Sequence, residues 1–182
     1  MFHAALVWLV SNRFMPELRY ICQYQTERMK SPESLASVAE FHRTFRVPVL
    51  DRPQIPAADR CALRISLLQE ELDELRSAIA ADDLVEVADA LADLQYVLSG
   101  AVLEFGLGDR FKELFDEVHR SNMSKTCADL DEAEATVRHY AGLEQPGRVE
   151  RSGDHYLVYR EADNKVLKNI NYSPADLAAK LK

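Results

Sequence analysis

Cysteine is scarce and unpatterned: Cys22, Cys61 and Cys127 are the three in 182 residues. An odd, scattered set with no CxxC or Cys/His spacing fits reduced thiols in a cytoplasmic protein better than a disulfide framework or a zinc site. Basic charge is also short. A formal net charge of −8 argues against a nucleic-acid or anionic-membrane binder, which would carry a basic face. No run approaches the roughly 18 apolar residues of a membrane span. The opening "MFHAALVWLVSN" lacks the basic flank and small-residue cleavage site of a secretory signal. There is no internal repeat and no low-complexity tract.

With 47% hydrophobic residues, the chain can bury one sizeable core together with a small appendage. Three regions are expected. Residues 1–30 are an aromatic-rich, weakly periodic extension, expected to be dispensable, with Met29 as an alternative start. Residues 31–128 read as a helical core, and 129–182 as a C-terminal α+β appendage. The fold class is therefore mainly α, a helical bundle with a small β-hairpin.

In the core, Ser31 as N-cap and Pro32 at the first helical position predict a helix over 33–45 with Leu35, Val38, Phe41, His42 and Phe45 on one side. Prolines in "RVPVLDRPQIPAAD" break it. Long helices are expected over 59–81 and 84–105, ended by Gly106 and Gly108. Only "DD" separates them, so they form an antiparallel hairpin. A fourth helix is expected after Asp109 as cap, and a fifth after a box-like cap of Asp129 and Glu132. Turn signals at Ser152-Gly153-Asp154 and Ala162-Asp163-Asn164 predict a hairpin or meander, and "NYSPADLAAKLK" a last capped helical turn.

What the chain has in excess is acid. "QEELDELRSAIAADDLVEVADALAD", Gln69 to Asp93, sets nine carboxylates around the single basic residue Arg76. At about 100° per residue, Glu70, Glu71 and Glu74 share an arc of roughly 100°, beside the apolar arc of Leu68, Leu72, Leu75 and Ile79. Glu86, Asp89 and Asp93 share roughly 60°, beside Val87, Leu91, Leu94, Val97 and Leu98. Both stripes thus flank the core. An acidic helix face is ordinarily a solvated one. Two such stripes on consecutive helices of a hairpin instead converge, raising carboxyl pKa values or splaying the helices unless a cation intervenes. Hard divalent cations with oxygen ligands fill that role, and Mg²⁺ is commonly held by a few carboxylates together with substrate phosphates.

At this point the residues resemble a known pattern. "EELDE" at Glu70 to Glu74 followed by "EVAD" at Glu86 to Asp89 resembles the EExxE and ExxD motifs of the all-α nucleoside triphosphate pyrophosphohydrolase superfamily. That superfamily takes in MazG-like proteins, phosphoribosyl-ATP pyrophosphatases and dimeric dUTPases. "FDEVHRSNMSK" is similar to the segment that follows in MazG-like members, and "DNKVLKNINYSPADL" to a tail in a phosphoribosyl-ATP pyrophosphohydrolase-like subset. The resemblance implies a dimerising four-helix core that uses Mg²⁺, with Mn²⁺ as the alternative, to cleave a nucleoside triphosphate to monophosphate and pyrophosphate. It makes Glu71, Glu74, Glu86 and Asp89 metal ligands, with Glu70 a further ligand or water-orienting group. Glu70 and Glu71 are accordingly the catalytic candidates. Asp93, one turn beyond the motif, is a candidate for a second ion or a sugar hydroxyl.

Three polar residues supply what an acidic site lacks. His119, Asn122 and Lys125, spaced i, i+3, i+6, are candidates for phosphate or sugar contact; packing or helix-end roles account for His119 and Lys125 as well. Arg120, four residues after Asp116, reads as half of a surface ion pair. Arg160, Lys165 and Lys168 in the appendage suit a cover over the site or a shield for a dimer edge. Tyr96, just past the acidic arc, suits either base stacking or the core.

Two other readings use the same residues. One is phosphoribosyl-ATP cleavage in histidine biosynthesis; the other is a non-catalytic acidic module that recognises a basic partner. A Nudix hydrolase is discounted, because its glycine-bounded loop is missing. The expected occupants are a nucleoside triphosphate and a second copy of the chain, with neither nucleic acid nor membrane.

Overall fold

The protein is described by a computed structural model covering residues 31–181; the expectations for residues 1–30 lie outside the described residues. It is mainly helical, with one antiparallel two-stranded hairpin near the C-terminus. The helices are α1 (Ser34–Thr44), α2 (Ala58–Ala80), α3 (Leu84–Glu104), α4 (Phe111–Met123), α5 (Leu130–Ala141) and α6 (Leu177–Lys180). Strands β1 (Gly147–Ser152) and β2 (His155–Arg160) lie between α5 and α6.

Helix α1 starts later than Ser31 and Pro32 suggest. Glu33 is its N-cap and gives no side-chain cap hydrogen bond. Its buried arc is Val38, Ala39 and His42, packed with Leu103 of α3. Phe41 and Phe45, expected on that side, fall at its edge and stay exposed. The following loop runs beside the end of α3: Leu50 N–H donates to Leu103 O at 3.0 Å, and Gln54 N–H to Phe105 O at 3.1 Å. Gly106 makes this approach possible. Its φ is +67°, and a Cβ there would stand 1.9 Å from Arg52 O. Gly106→Ala is expected to cost about 2 kcal/mol or more, read as a lowered Tm.

Helices α2 and α3 form the predicted antiparallel hairpin. Asp82 takes a left-handed φ of 54° in the joint, a conformation Asp tolerates better than most residues. Asp83 caps α3, its Oδ1 accepting from Val85 N–H at 3.0 Å and Glu86 N–H at 3.2 Å. The far end of the hairpin holds an ion cluster that sequence analysis did not anticipate. Glu104, 1% exposed, accepts hydrogen bonds from Arg60 and Arg64, the latter 7% exposed. Arg64 lies against Gly100, where a Cβ would be 2.7 Å from its Nη1 and 3.0 Å from His42 Nε2. Glycine there lets the guanidinium and imidazole close on α3. The apolar arcs divide: Leu75, Leu94 and Val97 are half-buried, but Leu72, Ile79, Leu91 and Leu98 are exposed. In one chain α1 covers only one flank of the hairpin, so part of each arc is left uncovered.

Beyond α3, Asp109 does not cap α4. The chain passes through a 3-10 turn at Gly108–Arg110, and α4 follows without a side-chain cap. Helix α5 has the expected capping box: Asp129 Oδ1 accepts Glu132 N–H at 2.8 Å, and Glu132 Oε2 accepts Ala128 N–H at 2.6 Å. Strands β1 and β2 pair with Val149 opposite Val158. A second apolar cluster, Cys127, Ala133, Val158 and Leu167, joins this hairpin to α5.

The tail then runs back along α4 as a strap. Tyr172 Oη meets Ser121 Oγ at 2.8 Å, Ser173 N–H donates to Ser124 Oγ at 3.0 Å, and Asp176 N–H to Glu117 Oε1 at 2.9 Å. Arg120 is not paired with Asp116, which instead accepts Lys112 at 2.5 Å. It binds Glu117 and donates to Pro174 O at 2.9 Å, because the tail brings its own acceptors to that face. Arg120 and the Asp176 amide hold the Glu117 carboxyl down from 4.5 to about 2. A depressed carboxyl stabilises the folded form fully above its unfolded pKa and loses that contribution as pH falls through the folded value. The strap contact is therefore expected to persist at pH 4 and loosen near pH 2, with the Asp176 amide resonance titrating at about 2. A midpoint near 4.5 would contradict the clasp.

No single helix among the described residues is long and apolar enough to cross a membrane.

Candidate active site

The hairpin positions the acids. Antiparallel pairing sets Glu71 of α2 within electrostatic reach of Asp93 and Asp89 of α3, and the three-residue joint closes one end. Toward that end the helices leave an open cleft of about 720 Å³, lined by Glu70, Asp73, Glu74, Ser77, Ala78, Ala81, Asp83, Glu86 and Asp89. This is within the usual size range of a small-molecule site, roughly 300–1,000 Å³.

Of the residues expected from sequence, Glu70, Glu74, Glu86 and Asp89 line the cleft. Glu71 and Asp93 stand next to them, and the stripe is coupled through Glu71. Its carboxyl is raised above the ordinary glutamate value, first by partial burial and then by the charges of Glu74, Asp93, Glu70 and Asp89. Among the described residues none of these six carboxylates has a Lys or Arg partner, whereas Asp73 is paired with Arg76. The structure adds Asp73, Ser77 and Asp83 to the lining. The i, i+3, i+4, i+7 spacing of Glu70, Asp73, Glu74 and Ser77 was the available signal.

His119, Asn122 and Lys125 do not line this cleft. His119 and Asn122 are carried by α4, which packs on the 3-10 turn and α6, and Lys125 sits in the turn just past its end. Lys125 Nζ donates to Asn122 Oδ1 at 2.7 Å, so these two form a local polar pair.

Donor chemistry fits a hard divalent cation: the set is all carboxylate oxygen, uncompensated by protein cations and facing across a cleft. The side chains stand apart, and no group of three among the described residues is already gathered around one point.

Fold and site together define a helical-hairpin protein with opposed carboxylate stripes. Residues 38–122 match the family model of phosphoribosyl-ATP pyrophosphohydrolase, a domain of the MazG-like nucleoside triphosphate pyrophosphatase superfamily. The match runs from within α1 to near the end of α4, taking in both acidic stripes and ending before the appendage. The chain is also similar to an uncharacterized protein of Acanthamoeba polyphaga mimivirus, at 24% identity covering 73% of this chain and 89% of the viral one.

Proposed function

We propose that the protein hydrolyses a nucleoside triphosphate to the monophosphate and pyrophosphate with Mg²⁺ or Mn²⁺, in the clearance of unwanted nucleotides. The observation that supports this most is the convergence of unpaired carboxylates on Glu71 across the hairpin. Glu71, Glu74, Glu86, Asp89 and Asp93 would hold the cation, and Glu70 and Glu71 would orient the attacking water and accept its proton. A bound divalent ion supplies charge neutralisation to phosphate oxygens and acidity to water. The water attacks the α-phosphorus, the α–β anhydride bond breaks, and pyrophosphate leaves with the bonding electron pair. Cleavage of phosphoribosyl-ATP would use the same residues and also release pyrophosphate; the family match favours including it as a substrate.

We also infer a homodimer in a reducing cytoplasm. Exposed Leu72, Ile79, Leu84, Leu91 and Leu98 leave apolar hairpin surface for a second copy, and Cys61 and Cys127 are free thiols.

A panel of nucleoside triphosphates plus phosphoribosyl-ATP, assayed for pyrophosphate with Mg²⁺, tests the reading. Release from at least one of them, abolished by chelator, is expected. A metal-independent signal would contradict the role given to the cation, and no release from any substrate alongside salt-sensitive binding of a basic peptide would favour the interaction module instead.

A further inference from the structure

The surface beyond the acidic stripe carries three aromatic rings from two helices. Phe41 and Phe45 of α1 have centroids 4.4 Å apart, and Phe41 meets Tyr96 of α3 edge-on at 5.7 Å. The rings touch one another yet stay wet, at 40%, 64% and 38% exposure for Phe41, Phe45 and Tyr96. Aromatic side chains contribute most when buried, so an ordered cluster left at the surface needs an occupant.

We propose that Phe41, Phe45 and Tyr96 are the platform on which the nucleobase stacks, a claim that rests on the triphosphate reading above. Tyr96 lies one turn beyond Asp93, about 4.5 Å along α3 and within roughly 60° around it. It lies two turns beyond Asp89, about 10 Å along and within roughly 20° around. The same stripe therefore passes from carboxylate to aromatic face over a length that a ribose and its 5′ carbon bridge between α-phosphate and base. The platform is braced from beneath. Val38, Ala39 and His42 bury the adjoining arc of α1, and Gln95 Nε2 reaches Ser34 Oγ at 3.3 Å and Ser99 Oγ at 3.1 Å, tying α1 to α3 beside Tyr96.

A second copy is the competing occupant. The exposed Leu91 and Leu98 point roughly 140–160° away from Tyr96 around α3, so the largest apolar surface open to a partner there is on another face. Because every base offers a π-face, the platform selects by stacking area and favours purines over pyrimidines.

Titration calorimetry with Mg²⁺ and either adenosine 5′-(α,β-methylene)triphosphate or inorganic tripolyphosphate tests this on the full chain. Phe41→Leu and Tyr96→Leu keep apolar bulk and remove the ring; circular dichroism checks their folding. Each is expected to weaken the adenosine ligand about tenfold and leave tripolyphosphate unchanged. Unchanged binding of the adenosine ligand, an equal loss of both ligands, or sedimentation showing that the variants only dissociate into monomers would overturn the platform while the triphosphate reading stands. If the wild-type chain bound neither ligand, the triphosphate reading would fail and the platform with it.

Discussion

Replacing Glu71 with Gln is expected to lower pyrophosphate release by about two to four orders of magnitude, the usual loss when a positioned general base is removed. Glu71 carries the raised carboxyl that Glu74, Asp93, Glu70 and Asp89 all act upon, so it is where the two stripes meet. Gln keeps the shape and removes both the charge and the proton acceptor. Folding should be unharmed, because relieving repulsion among like charges costs nothing in stability. Asp89→Asn on the opposite helix should lose activity for the same reason, with a higher Mg²⁺ requirement. The informative contrast is Asp73→Asn: Asp73 lines the cleft but is paired with Arg76, and its loss is expected to change the rate only a few-fold. Initial rates of pyrophosphate release at saturating Mg²⁺ rank the three. Equal rates for wild type and Glu71→Gln would remove Glu71 from the site.

Glu104→Ala is expected to destabilise the fold by about 3–5 kcal/mol, because it strands Arg64 and part of Arg60 in the interior without a counter-charge. Burial alone would raise the Glu104 carboxyl, but hydrogen bonds and charge from Arg60 and Arg64 outweigh it and hold it below the ordinary value. Arg64 is the more constrained partner. Its Nε is buried with no hydrogen-bond partner, so its guanidinium already depends on Glu104 and on the space left by Gly100. Removing the carboxylate leaves nothing to offset that desolvation. For a chain of this size the loss corresponds to a Tm lower by roughly 10 °C. Gly100→Ala should act in the same direction with a smaller effect, since it pushes the Arg64 guanidinium away from α3 without removing its partner. Thermal unfolding followed by circular dichroism measures both. A Glu104→Ala protein as stable as wild type would mean that Arg64 finds another acceptor.

The elements legible in the sequence were those with local causes. The hairpin followed from two long periodic segments and a joint too short for any other connection, and the α5 cap from Asp129 and Glu132 at capping-box spacing. The acidic stripes were legible because carboxylate spacing on a helix is a one-dimensional property.

What escaped depends on tertiary partners. Glu104 gave no signal, since its partners Arg60 and Arg64 lie forty or more residues earlier in the chain. Asp109 looked like a cap, but the 3-10 turn displaced the start of α4. Arg120 was read from its own helix, while its acceptors come from a tail fifty residues on. Phe41 and Phe45 shared the periodicity of a buried face yet sit at its edge, because α1 buries a narrower arc than its apolar residues span. Asp73 joined the cleft because it stands one turn from Glu70 and Ser77 on α2, both of which line it.

Crystals grown with Mn²⁺ and a non-hydrolysable nucleoside triphosphate, measured at the manganese edge, test the central claim most directly. The account predicts an anomalous peak between α2 and α3, bounded by Glu71 and Glu74 on one side and Glu86 and Asp89 on the other, with the triphosphate against it. A peak elsewhere, or ordered triphosphate with no metal between the stripes, would contradict it.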